Sequence, residues 1–366
     1  MINSNAITVG IHRAIHDKVD PELEVYRKIL NFNNIRFIEL DSSDSDFWKK
    51  LSKVTHFLYK WSHSHRDHQI AHAIIPIIQY HLGKKCYPSW ETSWHYDDKV
   101  KQTLLLQESG FPVVQSYVFF QKAKAMQFLD TASFPMVFKL KNGSGSFNVR
   151  MLKSKSEAFR IASRMFGNGI SQDYIGFFDV LKTFNYDLVK ILRHYVILYR
   201  NRYFQKHRVN MWWKHKNYLY LQEFLAGNEY DTRVQITGNR AFAYIRYNRP
   251  DDFRASGSNN WSLKHENINM DMVKIAFQVS KKFNHQSMAY DFIYDKSGNP
   301  VIVEMSYCYG DYPEFSNGFW DDNLIWHDGN YVPQYLELCD FLGLKDLKQP
   351  NDIRAGSSYK NVTIKS

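Results

Sequence analysis

The chain has 366 residues, enough for two or three packed subdomains and too many for one simple core. Its 44% hydrophobic, 23% charged and 16% aromatic residues exclude a long disordered chain. Lys plus Arg outnumber Asp plus Glu by 47 to 37, and the resulting +10 suggests an anionic partner such as a nucleotide, nucleic acid or membrane surface without choosing among them. Cys86, Cys308 and Cys339 are too few and too scattered for a disulfide framework or a four-thiolate zinc site, which fits a reducing compartment. The amino-terminal stretch lacks the basic start and apolar run of a signal peptide. No segment approaches the roughly 18 apolar residues of a membrane span. A soluble cytoplasmic protein is expected, with a peripheral contact at the inner face of an anionic membrane left open.

In chain order, alternation and helical spacing predict a strand at Ala6 to Ile11, a helix over Pro21 to Asn31, strands at Ile35 to Leu40 and Thr55 to Trp61, and a helix from Ala71 to His81 closed by Gly83. This is an α/β pattern. A helix from about Asp98 to Glu108 stops before Gly110, and Pro112 directs the chain into an extended Val113 to Phe120. The stretch FPMVFKLKNGSGSFNVRML from Phe134 to Leu152 predicts strand, glycine-bearing turn and strand, followed by a helix over Ser154 to Met165. Residues 167–217 are mostly helical in pattern and interrupt a strand-rich unit. Strands are then expected at Tyr218 to Leu225, Thr232 to Thr237, Arg240 to Asn248, Ala289 to Tyr294 and Val301 to Met305, with a helix at Met270 to Phe283. Asp295, Gly298, Asn299 and Pro300 form the last turn. Beyond Leu344 a polar, loosely ordered tail is expected.

Three features carry chemistry. The chain has no GxxxxGK[ST] loop, so any polyphosphate must be held otherwise. Lys139 followed by Gly143, Ser144, Gly145 and Ser146 supplies a cation and a small loop with free backbone N–H groups, although Gly-Ser-Gly-Ser is equally an ordinary hairpin turn. Asp291 in AYDFI and Glu304 in VIVEMS are acids among apolar neighbours on adjacent strands. A hard cation offsets the cost of burying them, and the alternative is a pair of solvent-facing acids on an alternating sheet. In LQEFLAGNEYDTRVQI a strand ends at Glu223, Phe224 and Leu225. Backbone polar groups there can grip a purine, and Asp231 can accept from ribose hydroxyls.

The order of these features resembles the ATP-grasp superfamily, in which two α+β subdomains close on ATP. The resemblance covers about residues 85 to 310. Asp98-Lys99 with GFPVVQSYVF looks like the start of the core in D-alanine-D-alanine ligases, which implies phosphate contact by Lys99. FPMVFKLKNGSGSFNV implies Lys139 on the phosphates, with Ser144, Gly145 and Ser146 as the lid. Ribosomal-protein glutamate ligases show the nearest pattern. Their hinge, D-x-R and D-F-R correspond to Glu223-Phe224, Asp231-Thr232-Arg233 and Asp252-Phe253-Arg254. The resemblance then implies adenine at Glu223, Phe224 and Leu225, ribose at Asp231, and the transferring phosphate or acyl phosphate at Arg254, with Arg246 as a second candidate. It makes Asp291 and Glu304 the metal ligands. Those enzymes usually carry Asn two residues after the glutamate; this chain has the shorter, weaker ligand Ser306.

The expected architecture is an α/β (α+β ATP-grasp) fold. It comprises a pre-ATP-grasp α/β domain over 1–95, one ATP-grasp subdomain over 96–166, a helical basic and aromatic insertion over 167–217, a second subdomain with the metal site over 218–345, and a polar tail over 346–366. The implied activity is carboxylate–amine ligation through an acyl phosphate, using ATP and Mg2+, or Mn2+ in its place. The implied partners are small carboxylates and amines, sugar-linked or lipid-linked among them, in a homo-oligomer. WSHSHRDH and SWHYDDKV also resemble bacterial ATP-grasp proteins associated with surface polysaccharide synthesis. The alternatives are a kinase of the same fold acting on a hydroxyl, and a nucleotide-binding interaction protein without catalysis.

One motif competes. His63, His65, Asp67 and His68 spell HxHxDH, with His72 four residues further on, as in zinc hydrolases, but Gln69, Ile70 and Ala71 follow where a small-residue turn is usual. The other reading is a loop and helix start at the edge of a substrate cleft. Separately, Leu188 to Gln222 holds eight basic residues and no acid, interleaved with Tyr195, Tyr199, Tyr203, Phe204, Trp212 and Trp213. That mixture suits anionic headgroups or a pyrophosphate-linked glycan more than nucleic acid, which is not expected as a partner; the alternative is a solvated helical face that packs its aromatics on the core.

Overall fold

The structure, a computed structural model, describes residues 7–14, 21–61, 63–143, 149–171, 188–189, 192–193, 196, 214–250, 252–255, 258, 260–309 and 317–353. It contains two compact units. One joins Met1–Val114 to Leu225–Ser366; the other is the intervening Gln115–Phe224. Among the described residues no helix is long and apolar enough to cross a membrane.

The first unit begins with β1 (Thr8–His12), α1 (Pro21–Phe32), β2 (Arg36–Leu40), α2 (Phe47–Leu51), β3 (His56–Leu58), α3 (His65–Pro76) and β4 (Lys85–Tyr87). The strands form one parallel sheet in the order β2-β1-β3-β4. Central β1 is buried on both faces, as parallel strands under helices usually are. Gly10 is there for space: a Cβ would lie 2.5 Å from Leu40 Cδ1 and within 3.3 Å of both Val54 methyls. Gly10→Ala is therefore expected to cost about 1–3 kcal/mol by overpacking, measured as a shift in the urea midpoint.

Here the structure corrects three expectations. The helix predicted from Ala71 begins at His65, because Ser64 caps it by accepting from the Asp67 backbone N–H, so His63 precedes the helix while His65, Asp67 and His68 lie in its first turn or just after. The strand expected over Thr55 to Trp61 spans only His56–Leu58, with Tyr59, Lys60 and Trp61 leading off its carboxyl end. The chain after Leu344 is packed through Ile353: Leu347 and Ile353 join Leu23, Tyr26, Ile29 and Leu30 in the core. The rest of the tail lies outside the described residues.

After α4 (Trp90–Ser93) comes α5 (Lys99–Glu108), capped by Asp98, whose Oδ1 accepts from the Lys101 N–H. The second unit follows. It comprises β5 (Ser116–Phe119), α6 (Lys122–Thr131), β6 (Met136–Phe138), β7 (Arg150–Leu152), α7 (Lys155–Met165), β8 (Ile170–Ser171), β9 (Lys214–His215) and β10 (Leu219–Glu223). The antiparallel order β5-β10-β6-β7 includes the predicted hairpin, with Val137 opposite Met151. Helix α6 has no predicted counterpart, since only Ala125 and Leu129 are buried and its apolar stripe is thin. The proposed insertion lies mostly outside the described residues. Residues 188, 189, 192, 193 and 196 are helical, and the segment leaves and returns on the β8–β9 ladder.

The first unit resumes with β11 (Tyr230–Thr237), β12 (Arg240–Tyr247), β13 (Trp261–Ser262), α8 (Met270–Phe283), β14 (Ser287–Tyr294), β15 (Pro300–Ser306), β16 (Phe319–Asp321), β17 (Trp326–His327) and α9 (Pro333–Leu342). The sheet runs β15-β14-β11-β12-β16-β17, with β13 on β12. Val234, Ile236, Met288, Tyr290, Phe292 and Ile302 share a core with Met272, Val273, Ala276 and Val279 of α8. Side chains alternate along a strand, so the opposite face is left to Asp231, Arg233, Asp291 and Glu304.

Candidate active site

Register assembles the site. Asp291 of β14 lies opposite Arg233 of β11 on one side and Glu304 of β15 on the other; one row along, Asp231 faces Arg246 of β12. The ladder shifts between Asp291 and Phe292, so that Phe292 pairs with Ile302 and Val303 is the extra residue. The bulge lets Glu304 share the Asp291 face while Ile302 stays in the core. Two acids directly opposite destabilise a sheet unless compensated. Compensation is present on both: Lys99 Nζ lies 3.1 Å from Glu304 Oε1, and Arg233 donates from Nε and NH2 to the two Asp291 oxygens at 2.7 and 2.8 Å. Arg246 donates to both oxygens of Asp231, at 2.6 and 2.8 Å, and its NH2 also lies 2.9 Å from Asp291 Oδ2.

The exposures rank these groups. The side chain of Glu304 is 34% exposed against 14% for Asp291 and 6% for Arg246, so Glu304 is the open carboxylate and the arginines are walls. Burial raises the Asp291 carboxyl, but Arg233 and Arg246 outweigh it and hold the group well below the usual carboxylate range. Burial likewise opposes the Lys99 charge, which Glu304 and Asp97 restore, leaving its pKa above the ordinary lysine value.

The remaining predicted residues are placed as follows. Arg254 lies in the loop after β12, where its Nε donates to Asp252 Oδ1 at 2.9 Å. The Ser306 hydroxyl, two residues after Glu304 on the same strand, donates to the Cys308 carbonyl at 2.9 Å and keeps its oxygen as an acceptor. In the second unit, Lys139 is buried just past β6, and its N–H reaches the Tyr220 carbonyl at 3.4 Å. Glu223 ends β10 with its N–H donated to the Gln115 carbonyl, so that amide is not available to a purine. Phe224 follows it, and in the first unit the Leu225 carbonyl accepts from Asn228. Ser144, Gly145 and Ser146 lie outside the described residues.

The structure adds residues that motif reading left out of the site. Arg233 stood in the D-x-R motif without a role. Gln235, two residues on along β11, is fully buried with neither side-chain amide atom hydrogen-bonded. Only the strand period could have drawn attention to it. The HxHxDH residues separate: Tyr59 OH donates to Asp67 Oδ1 at 2.6 Å, while His63 Nδ1 lies 3.2 Å from Asp97 Oδ1. Among the described residues no three potential ligands converge on a metal position. The zinc-hydrolase reading therefore has no centre to rest on there.

No protein-family model matches the sequence, and no curated protein matches it. Solved structures do match. The biotin carboxylase domain of the 2-oxoglutarate carboxylase of Hydrogenobacter thermophilus, crystallised with MgADP, ADP and bicarbonate, superposes at a TM-score of 0.53 and 11% identity over 95% of this chain and 72% of that one. D-cycloserine synthetase DcsG gives 0.50 and 14% over 83% and 92%. The RimK-domain ATP-grasp protein of Sphaerobacter thermophilus gives 0.47 and 11% over 81% and 90%. The fold is the ATP-grasp fold, as the motif order implied.

Proposed function

We propose that the chain is an ATP-dependent, Mg2+-requiring ligase that joins a carboxylate to an amine through an acyl phosphate. The observation that carries this reading is the in-register Asp291–Glu304 pair, with Lys99 at 3.1 Å, on the polar face of the sheet. The donor set suits Mg2+: two carboxylates and a hydroxyl from Asp291, Glu304 and Ser306, all oxygen, on neighbouring positions of two strands. Once bound, the ion would polarise phosphoryl oxygens and neutralise their charge.

The chain's own residues would do the rest. The three acids Asp231, Asp291 and Glu304 are matched by Lys99, Arg233 and Arg246, so the cluster is neutral as it stands. A magnesium nucleotide offers the carboxylates a cation and the cations a polyphosphate, an exchange of partners that adds no unpaired charge. Positioning and electrostatics are the main sources of rate in phosphoryl transfer. By resemblance, Lys139, the 144–146 loop, Glu223 to Leu225, Asp231 and Arg254 are assigned to the nucleotide and the transferring group. The substrate class proposed is a uronic or amino acid with an amine, in surface polysaccharide synthesis, where the basic and aromatic 188–222 segment would meet a phosphate-linked glycan.

Hydroxylamine trapping tests the reading. With ATP, Mg2+ and a panel of uronic and amino acids, the protein should release ADP and form a hydroxamate only when the right carboxylate is present, and EDTA should abolish both. A phosphoester product without hydroxamate would instead identify a kinase.

A further inference from the structure

The motif left unused by the ligase reading is divided by the fold between support and chemistry. In the parallel sheet the chain moves from β1 outward to β2, then returns to the other side of β1 as β3. Ligands of such sheets bind outside the carboxyl ends of the strands where the order reverses. At that place His12 ends β1, its ring 4.1 Å from that of Tyr59 just beyond β3, and the segment leaving β3 carries His63.

The histidines there differ in what their nitrogens can still do. His12 is fully used: Nδ1 lies 2.7 Å from the Arg13 carbonyl, and Nε2 accepts from the Ser42 N–H at 2.9 Å. His68 is turned into support, since Trp61 Nε1–H donates to its Nδ1 at 3.3 Å, leaving the proton on Nε2, 3.7 Å from Asp97 Oδ2. His63 is the opposite case. Its Nδ1 faces Asp97 Oδ1 at 3.2 Å, its side chain is 35% exposed, and no described residue is hydrogen-bonded to Nε2. An ionised carboxylate on Nδ1 fixes the proton there and leaves the Nε2 lone pair outward. Burial raises the Asp97 carboxyl, but His63 and His68, with Lys99, hold it well below the usual range, so it is a carboxylate at neutral pH. The Tyr96 ring lies beside both imidazoles, with centroids 5.5 and 5.1 Å away.

Two short paths, each a few residues of chain and one contact, tie this dyad to the carboxylate site. Asp97 stands two residues before Lys99, which holds Glu304. Tyr307, three residues after Glu304, donates to the Trp61 carbonyl at 2.8 Å and packs on Tyr96 with centroids 4.4 Å apart.

We propose that His63, oriented by Asp97, is the general base for the second half-reaction, taking the proton from the amine as it attacks the acyl phosphate. The proposal rests on the ligase reading. The amine nitrogen forms the C–N bond, the C–O bond to phosphate breaks, and phosphate leaves with that electron pair. The proton on nitrogen passes to His63 Nε2, and the exposed imidazolium returns it to solvent. Asp97 and His68 are positioning residues.

The test compares hydroxamate formation with amide formation, using the carboxylate and amine that the panel identifies. Hydroxylamine traps an acyl phosphate without help from a base. His63→Gln should therefore keep hydroxamate formation within about threefold of the native rate while amide formation falls about 10²–10³-fold, the range of one general base. Asp97→Asn, of the same shape, should lower amide formation and spare trapping. Native-like amide formation by His63→Gln, or an equal fall in both products, overturns the proposal while leaving the ligase reading intact. Absence of hydroxamate from the native protein overturns the ligase reading and this proposal with it.

Discussion

Glu304→Gln will lower Mg2+-dependent ADP release by about 10²–10³-fold, the usual loss when one charge-stabilising group is taken from a preorganised site. The substitution keeps the shape, removes the charge and exchanges one acceptor oxygen for an amide donor. The Glu304 side chain is partly exposed, but it is the main compensation for buried Lys99, with Asp97 second, so a stability loss of about 1–3 kcal/mol should accompany the lost chemistry. A thermal melt sizes that loss, at roughly 2 °C per kcal/mol for a unit this large, and assays well below the melting temperature separate lost chemistry from lost fold. Native turnover by this variant would remove Glu304 from the site.

Asp291→Ala is expected to act on the fold as well as on the chemistry, at a cost of about 3–5 kcal/mol. Asp291 accepts from two arginines, and its loss leaves Asp231 alone against both guanidiniums. Urea titration measures the loss, and the double variant Asp291→Ala with Arg233→Met should recover part of it by removing the orphaned charge. The pH dependence has a defined sign. Because the folded-state pKa of Asp291 is depressed, its contribution is complete above the unfolded-state value of about 3.9 and declines as pH falls through the acid range. The native protein should therefore lose stability more steeply than the variant below about pH 4. Equal acid sensitivity in the two proteins would mean that Asp291 is not the group being titrated.

Much of this was legible in the sequence where local rules and packing agree. Met270–Phe283 shows a strong helical period, Asn269 caps it, and predicted and observed bounds coincide. Asp98 before α5, Ser154 before α7 and the Asp295–Pro300 turn announce themselves by side-chain chemistry. Helix α9 was hidden because Leu336, Leu338, Phe341 and Leu342 are buried around much of its circumference, which erases the period. The acids Asp291 and Glu304 were recognisable from their apolar flanks. Their partners were not: Arg233 and Arg246 sit 58 and 45 residues from Asp291 in the chain, and only sheet register brings them together. His63 shows the same limit. HxHxDH suggested shared ligation, whereas a cap at Ser64 turns Asp67 toward Tyr59 and leaves His63 to Asp97.

The first unit is interrupted in sequence by the second, which has consequences for the order of events during synthesis. Leu40, Phe57, Trp61 and Leu106 share a core with Val234, Met272, Tyr290 and Ile302, so the amino-terminal third must wait for the residues from Val114 through Ile302 before its core can close. At ribosomal rates of roughly 5–20 residues per second, that wait is roughly 10–40 seconds. Gln115–Phe224 is continuous, so the middle of the polypeptide can fold before its beginning. The exposed apolar surface of the nascent amino-terminal segment in that interval is where chaperone engagement should concentrate.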